Sequence, residues 1–122
     1  MGFDYSRLTE ITGVTTAGTT HIMYTNPSGT TSYVRQIMIH SADLLNFSAA
    51  TVQIYSVPAS GGNAGYAQVT NEFFSQSLTT GSTYFVNLGT PGLILKNVND
   101  TLQMVHTSKT TFNYYVMGGI EI

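Results

Sequence analysis

Thr111-Phe112-Asn113-Tyr114-Tyr115-Val116-Met117 places Phe112, Tyr114 and Val116 on one side of an extended chain and Asn113, Tyr115 and Met117 on the other. This two-residue period is that of a strand with one buried face, and no 3.6-residue stripe competes with it. Tyr114 and Tyr115 must point to opposite faces, so at most one of them is buried in the same sandwich. The run passes through Gly118-Gly119 into Ile120-Glu121-Ile122, which extends the strand pattern and implies an ordered end.

Working back from it, the same period recurs. Leu102, Met104 and His106 share one face, Leu93-Ile94-Leu95 follows the break at Pro91-Gly92, and Tyr84-Val86-Leu88 and Phe73-Phe74 with Leu78 flank the turn Thr79-Thr80-Gly81-Ser82. Thr51-Val52-Gln53-Ile54-Tyr55-Ser56-Val57 alternates cleanly until Pro58, which has no N–H for a ladder. In the run from Tyr33 to His40, Val34 and Gln36 fall on one face and Ile37 and Ile39 on the other, so the alternation breaks near Arg35-Gln36 and a bulge or a strand covered on both faces is expected. His21-Ile22-Met23-Tyr24 precedes it across the turn Asn26-Pro27-Ser28-Gly29. About eight strands with closely spaced turn signals and no helix indicate an all-β chain folded as a single antiparallel β-sandwich. A jelly roll fits this count better than an immunoglobulin-like domain, which would carry a Cys…Trp…Cys core. Residues 1–19 have little periodicity and read as an N-terminal arm, with residues 20–122 as the sandwich domain. Phe3, Tyr5, Leu8 and Ile11 give the arm apolar surface to dock on its own sandwich or on a neighbour.

Composition narrows the function. The chain has 122 residues, of which 8% are charged, and a formal net charge of −2 with no run of either sign. Tracking a phosphate backbone requires clustered Lys and Arg, so nucleic acid is not an expected partner. No stretch reaches the ~20 apolar residues of a membrane span and no signal peptide is evident, so no membrane role is expected and synthesis is placed in the cytoplasm. There is no cysteine, hence no disulfide and no thiolate metal site. A surface of hydroxyls and amides is cheap to desolvate, which suits a subunit packed among neighbours.

Chemistry is hard to find. His21, His40 and His106 lie far apart, each in a strand without a carboxylate at metal-ligand spacing. Glu72 and Asp100 sit beside Asn71 and Asn99 and read as edge and turn residues, Asp100 accepting from nearby amides in an Asx turn. Gly61-Gly62-Asn63-Ala64-Gly65 lacks the following Lys-Ser or Lys-Thr of a phosphate loop and is a surface loop. The expectation is no enzyme, with no catalytic, cofactor-binding or metal-binding residues. The tyrosines offer two uses, a subunit interface or a platform for stacking sugars. Candidate interface residues are Phe3, Tyr5 and Leu8 of the arm, Tyr66 of the glycine-rich loop and Tyr115 of the last strand.

Val34-Arg35-Gln36-Ile37-Met38-Ile39-His40, Ala50-Thr51-Val52-Gln53-Ile54-Tyr55, Val57-Pro58-Ala59-Ser60-Gly61-Gly62, Leu93-Ile94-Leu95, Asp100-Thr101-Leu102-Gln103-Met104 and the terminal Val116-Met117-Gly118-Gly119-Ile120-Glu121-Ile122 follow one another in an order that resembles small β-sandwich structural proteins of tailed bacteriophages. The likeness is to capsid decoration (cement) proteins and related tail modules, and it spans about residues 20–122. It implies a non-enzymatic jelly-roll subunit, commonly a homotrimer, bound to the major capsid protein on the outer surface of the virion. A tail or baseplate module that binds carbohydrate receptors through loop 59–66 is the alternative.

Overall fold

The computed structural model describes residues 6–14, 18–42, 50–79, 81–107 and 111–121. The alternating segments form strands β1 (Ser6–Arg7), β2 (Thr12–Val14), β3 (His21–Thr25), β4 (Thr31–Ser41), β5 (Ala50–Val57), β6 (Glu72–Leu78), β7 (Thr83–Asn87), β8 (Leu93–Leu95), β9 (Thr101–His106) and β10 (Phe112–Glu121). One six-stranded sheet has the order β1-β10-β4-β7, with β2 also on β10 and β8 also on β4; a four-stranded sheet has the order β3-β9-β5-β6. Every pairing is antiparallel.

β1 and β2 lie along the same side of β10, and β7 and β8 along the same side of β4, so each pair is one interrupted edge strand. Renumbered on that basis, the ten segments become eight strands ordered 1-8-3-6 over 2-7-4-5. All connections then cross between sheets except β5 to β6. This is the two-Greek-key winding of a jelly roll. The described part of the segment set apart as an arm is therefore a sheet edge: Ser6 and Arg7 pair with Gly118 and Met117, and Thr12 to Val14 pair with Tyr114 to Phe112. Leu8 donates its backbone N–H to Val116 and packs against the core of its own chain.

The core lies between the sheets, where Val34, Ile37 and Ile39 of β4 and Phe112, Tyr114 and Val116 of β10 meet Val52 and Ile54 of β5 and Leu102 and Met104 of β9. The break in alternation at Arg35-Gln36 is a bulge, the first of the two causes expected. The register between β4 and β10 shifts at Met117/Gly118, with Arg35 as the extra residue on β4, so Val34, Ile37 and Ile39 all face inward. The shift brings the strands so close that a Cβ on Gly118 would overlap the carbonyl oxygen of Tyr33 and sit 2.9 Å from its carbon. Gly118 is there because nothing larger fits.

One end of the sandwich is tied by polar groups. Asn26, at the end of β3, is wholly buried. Its Nδ2 donates to the carbonyls of Thr30 and Asn97, both at 3.0 Å, and its Oδ1 accepts from the hydroxyls of Ser32 (2.6 Å) and Thr30 (3.2 Å). The Asp100 carboxylate accepts from the N–H groups of Asn97 (2.8 Å) and Lys96 (3.2 Å) in its own turn and of Ala59 (2.8 Å) in another loop. Asp100 thus accepts from nearby amides as expected, but from residues three and four before it and not in an Asx turn, and it also joins two loops.

Candidate interaction surfaces

The three histidines do not converge. His21 and His106 face the interior while His40 lies on the outer face of the six-stranded sheet, its Nδ1 2.7 Å from the Thr83 hydroxyl. His21 Nε2 is 3.0 Å from the Tyr114 hydroxyl, with the rings edge to face at 5.7 Å. Burial, and to a lesser degree the field of His106, holds the His21 imidazolium pKa below its ordinary value. His106 is fully buried 4.9 Å from the Phe112 ring. Among the described residues no group of three His, Asp or Glu is placed to hold a metal ion. Glu72 accepts from Gln53 Nε2 at 2.8 Å at the start of β6. Imidazole, carboxylate and hydroxyl groups therefore do not combine into a nucleophile, a base and an orienting partner among these residues.

Two surfaces stand out instead. The first is the outer face of the six-stranded sheet. Register places Tyr115 of β10 beside Met38 of β4, and Met38 beside Phe85 of β7. All three point away from the core, and Phe85 is 48% exposed on an edge strand. The next row on one side is Met117, Gln36 and Asn87, with Gln36 Nε2 donating to Asn87 Oδ1 at 2.8 Å. The row on the other side is Asn113, His40 and Thr83, joined by the His40–Thr83 hydrogen bond. An apolar row lies between two rows that are polar except for Met117, and none of the nine positions carries Asp, Glu, Lys or Arg. Farther along the same face Tyr33 pairs with Ile94, itself 48% exposed.

The second surface is the loop from Pro58 to Asn71, which folds over the outer face of the four-stranded sheet. Thr101 and Gln103 point away from the core on β9, yet both are buried, because this loop covers them. Tyr66 projects from it 87% exposed, and Val69 81% exposed. Neither a protein family model nor a curated protein matches the chain. A solved chain described under "Bacillus endospore appendages form a novel family of disulfide-linked pili" is similar at 15% identity and a TM-score of 0.49, covering 98% of this chain and 89% of that one. At that distance the likeness carries nothing about function.

Of the residues expected at an interface, Tyr115 lies at the β10 end of the apolar row and Tyr66 at the tip of the opposite loop, so the two do not share a surface. Leu8 is half-buried against its own core. Phe3 and Tyr5 lie outside the described residues. Sequence reasoning did not single out Met38 and Phe85. Both were visible as outward positions of alternating strands, but joining them to Tyr115 requires the registers of three strands distant in sequence.

Proposed function

We propose that this protein is a non-enzymatic structural subunit of a virion, a capsid decoration protein that binds the major capsid protein on the outer surface of the shell as a homotrimer. The observation that carries the structural part of this reading is the Tyr115–Met38–Phe85 row between flanking rows that carry no Asp, Glu, Lys or Arg. An apolar centre with a polar rim depleted in charge is the anatomy of a protein interface. Nine positions spaced ~4.8 Å across strands and ~6.8 Å along them cover about 300 Å². The apolar middle row takes about 100 Å² of that, and the whole falls short of the ~800 Å² each partner contributes to a standard interface, so the row is a centre and its surroundings complete the contact. The jelly roll is compatible without being decisive, since viral shells and lectins share it. The virion and its capsid rest on the sequence resemblance.

The test is to replace Phe85 by lysine, which puts a charge into the row from an edge position that the core does not use. Wild-type protein is expected to sediment as a trimer and to bind purified capsids. The F85K variant is expected to lose both properties with its thermal unfolding unchanged. A wild-type monomer throughout the micromolar range that fails to bind capsids overturns the proposal, as does a variant that assembles and binds like wild type.

A further inference from the structure

Between β5 and β6 the chain takes 14 residues, 58–71, in which a 3-10 turn at Val69–Asn71 is the sole regular element. Connections this long inside a compact domain are uncommon unless they serve a function. This one is held at close intervals. Ala59 N–H donates to the buried Asp100 at 2.8 Å, and Ser60 and Asn63 exchange backbone hydrogen bonds of 2.8 and 3.1 Å. The Gly62 carbonyl accepts from Asn99 Nδ2 at 2.7 Å, the Gly65 carbonyl from the buried Gln103 Nε2 at 3.1 Å, and Asn71 N–H donates to the Gln68 carbonyl at 2.8 Å. Gly65 sits so close to the first leg of the loop that a Cβ there would lie 2.5 Å from the Pro58 oxygen. The two legs are thus pinned to each other and to β9, and Tyr66 is carried outward on a fixed base.

Between the legs lies an open groove of about 290 Å³, whose walls include Pro58, Ser60, Tyr66, Gln68 and Asn71 and no ionisable side chain other than the tyrosine. We propose that this groove is a binding site for a neutral saccharide, with the Tyr66 ring as the stacking platform. A phenol ring presents a flat apolar face to the C–H side of a pyranose. Carboxamides and hydroxyls both donate and accept, which matches sugar hydroxyls of either sense. A volume at the lower limit of small-molecule sites admits a terminal sugar unit more readily than a folded segment. An anionic sugar would find no counter-charge on these walls and would lose hydration without return. Holding the loop in advance removes much of the ordering cost that weakens binding by long loops. The site lies on the opposite side of the sandwich from the Phe85 row, so the two proposals stand or fall separately.

The test is saturation-transfer and amide-shift NMR on the full chain with maltotriose, cellotriose, chitotriose and galactobiose, and with sialyllactose as the anionic control. At least one neutral probe is expected to shift amides of residues 65–71 with a millimolar dissociation constant. Tyr66→Ala should weaken that binding about tenfold or more, while Tyr66→Phe, which keeps the ring, should retain it to within about threefold. Both variants should melt with wild type, because the side chain is almost wholly exposed. The proposal is overturned if no neutral probe perturbs the loop at tens of millimolar. It is equally overturned if sialyllactose binds best, if Tyr66→Ala binds undiminished, or if that substitution changes only the oligomeric state, which would make the loop a protein contact.

Discussion

Replacing Asn26 by alanine deletes four hydrogen bonds at a site with no exposure to solvent. Three partners keep a second bond, since the Ser32 hydroxyl also meets the Tyr24 hydroxyl at 2.7 Å, the Thr30 hydroxyl also donates to the Pro27 carbonyl at 3.0 Å and the Asn97 carbonyl also accepts from the Asp100 N–H at 3.1 Å. Each of those losses costs about 1 kcal/mol. The Thr30 carbonyl loses its amide donor, at about 1 to 2 kcal/mol for an acceptor taken out of water. The sum is roughly 4 to 5 kcal/mol if water stays out, and roughly 3 if one molecule enters the vacated space. For 122 residues the unfolding entropy near the midpoint is about 0.26 kcal/mol/K, so the melting temperature should fall by about 12 to 20 °C. Near-UV circular dichroism and urea titration at neutral pH measure this directly. Asn63→Ala is the comparison, because Asn63 is exposed and bonds Ser60 through backbone groups; it should cost less than about 0.5 kcal/mol. If Asn26→Ala melts within a few degrees of wild type, or if the two substitutions cost the same, the account of this end of the sandwich as a polar tie is wrong.

Gly118→Ala should cost about 2 to 3 kcal/mol or more, because the strain falls on two central strands that cannot separate without losing ladder bonds. Gly61→Ala should cost about 1 kcal/mol, since Gly61 has a positive φ of 59° but open space around it, and the reverse ranking in urea would refute the bulge argument. His21 carries a pH dependence of definite sign. Its folded pKa is lowered from 6.5, so below that value the unfolded chain binds more protons and stability falls as pH drops toward the folded pKa, with no effect above it. His21→Gln should therefore lose less stability than wild type between about pH 7 and pH 5, and equal losses would clear His21 of the effect.

Much of the sandwich was legible because a half-buried strand writes its own period. Leu102, Met104 and His106 on one face, the stop at Pro58 and the irregularity at Arg35-Gln36 all follow from which neighbours alternate, and neighbours are local. Tyr114 is buried and Tyr115 half-exposed for the same reason. Pairing is not local. Ser6–Arg7 and Thr12–Val14 are too short to show a period, and what makes them strands is an edge of β10 that lies some hundred residues away. Asn26 resembles any turn asparagine, and nothing in Asn26-Pro27-Ser28-Gly29 shows that Asn97 and Ser32 will close around it. The buried Gln103 and Thr101 were unreadable as such, because their cover is a loop and not a sheet.

The central position of β10 has a further consequence, in the order of synthesis. β10 lies between β4 and the β1–β2 edge, so the strand that completes the six-stranded sheet is the last of the ten to leave the ribosome. Until it arrives, β4 has one open side, β1 and β2 have no partner at all, and the inward faces of β5 and β9 have half their cover missing. The chain must hold these surfaces apart from one another and from other nascent chains for as long as translation lasts, and then close pairings of the longest sequence separation it possesses. Such non-local closure is slow. A cell making this protein in quantity is therefore expected to carry chains whose sandwich is not yet closed, and its yield should respond to growth temperature and chaperone supply more than the stability of the finished sandwich would suggest.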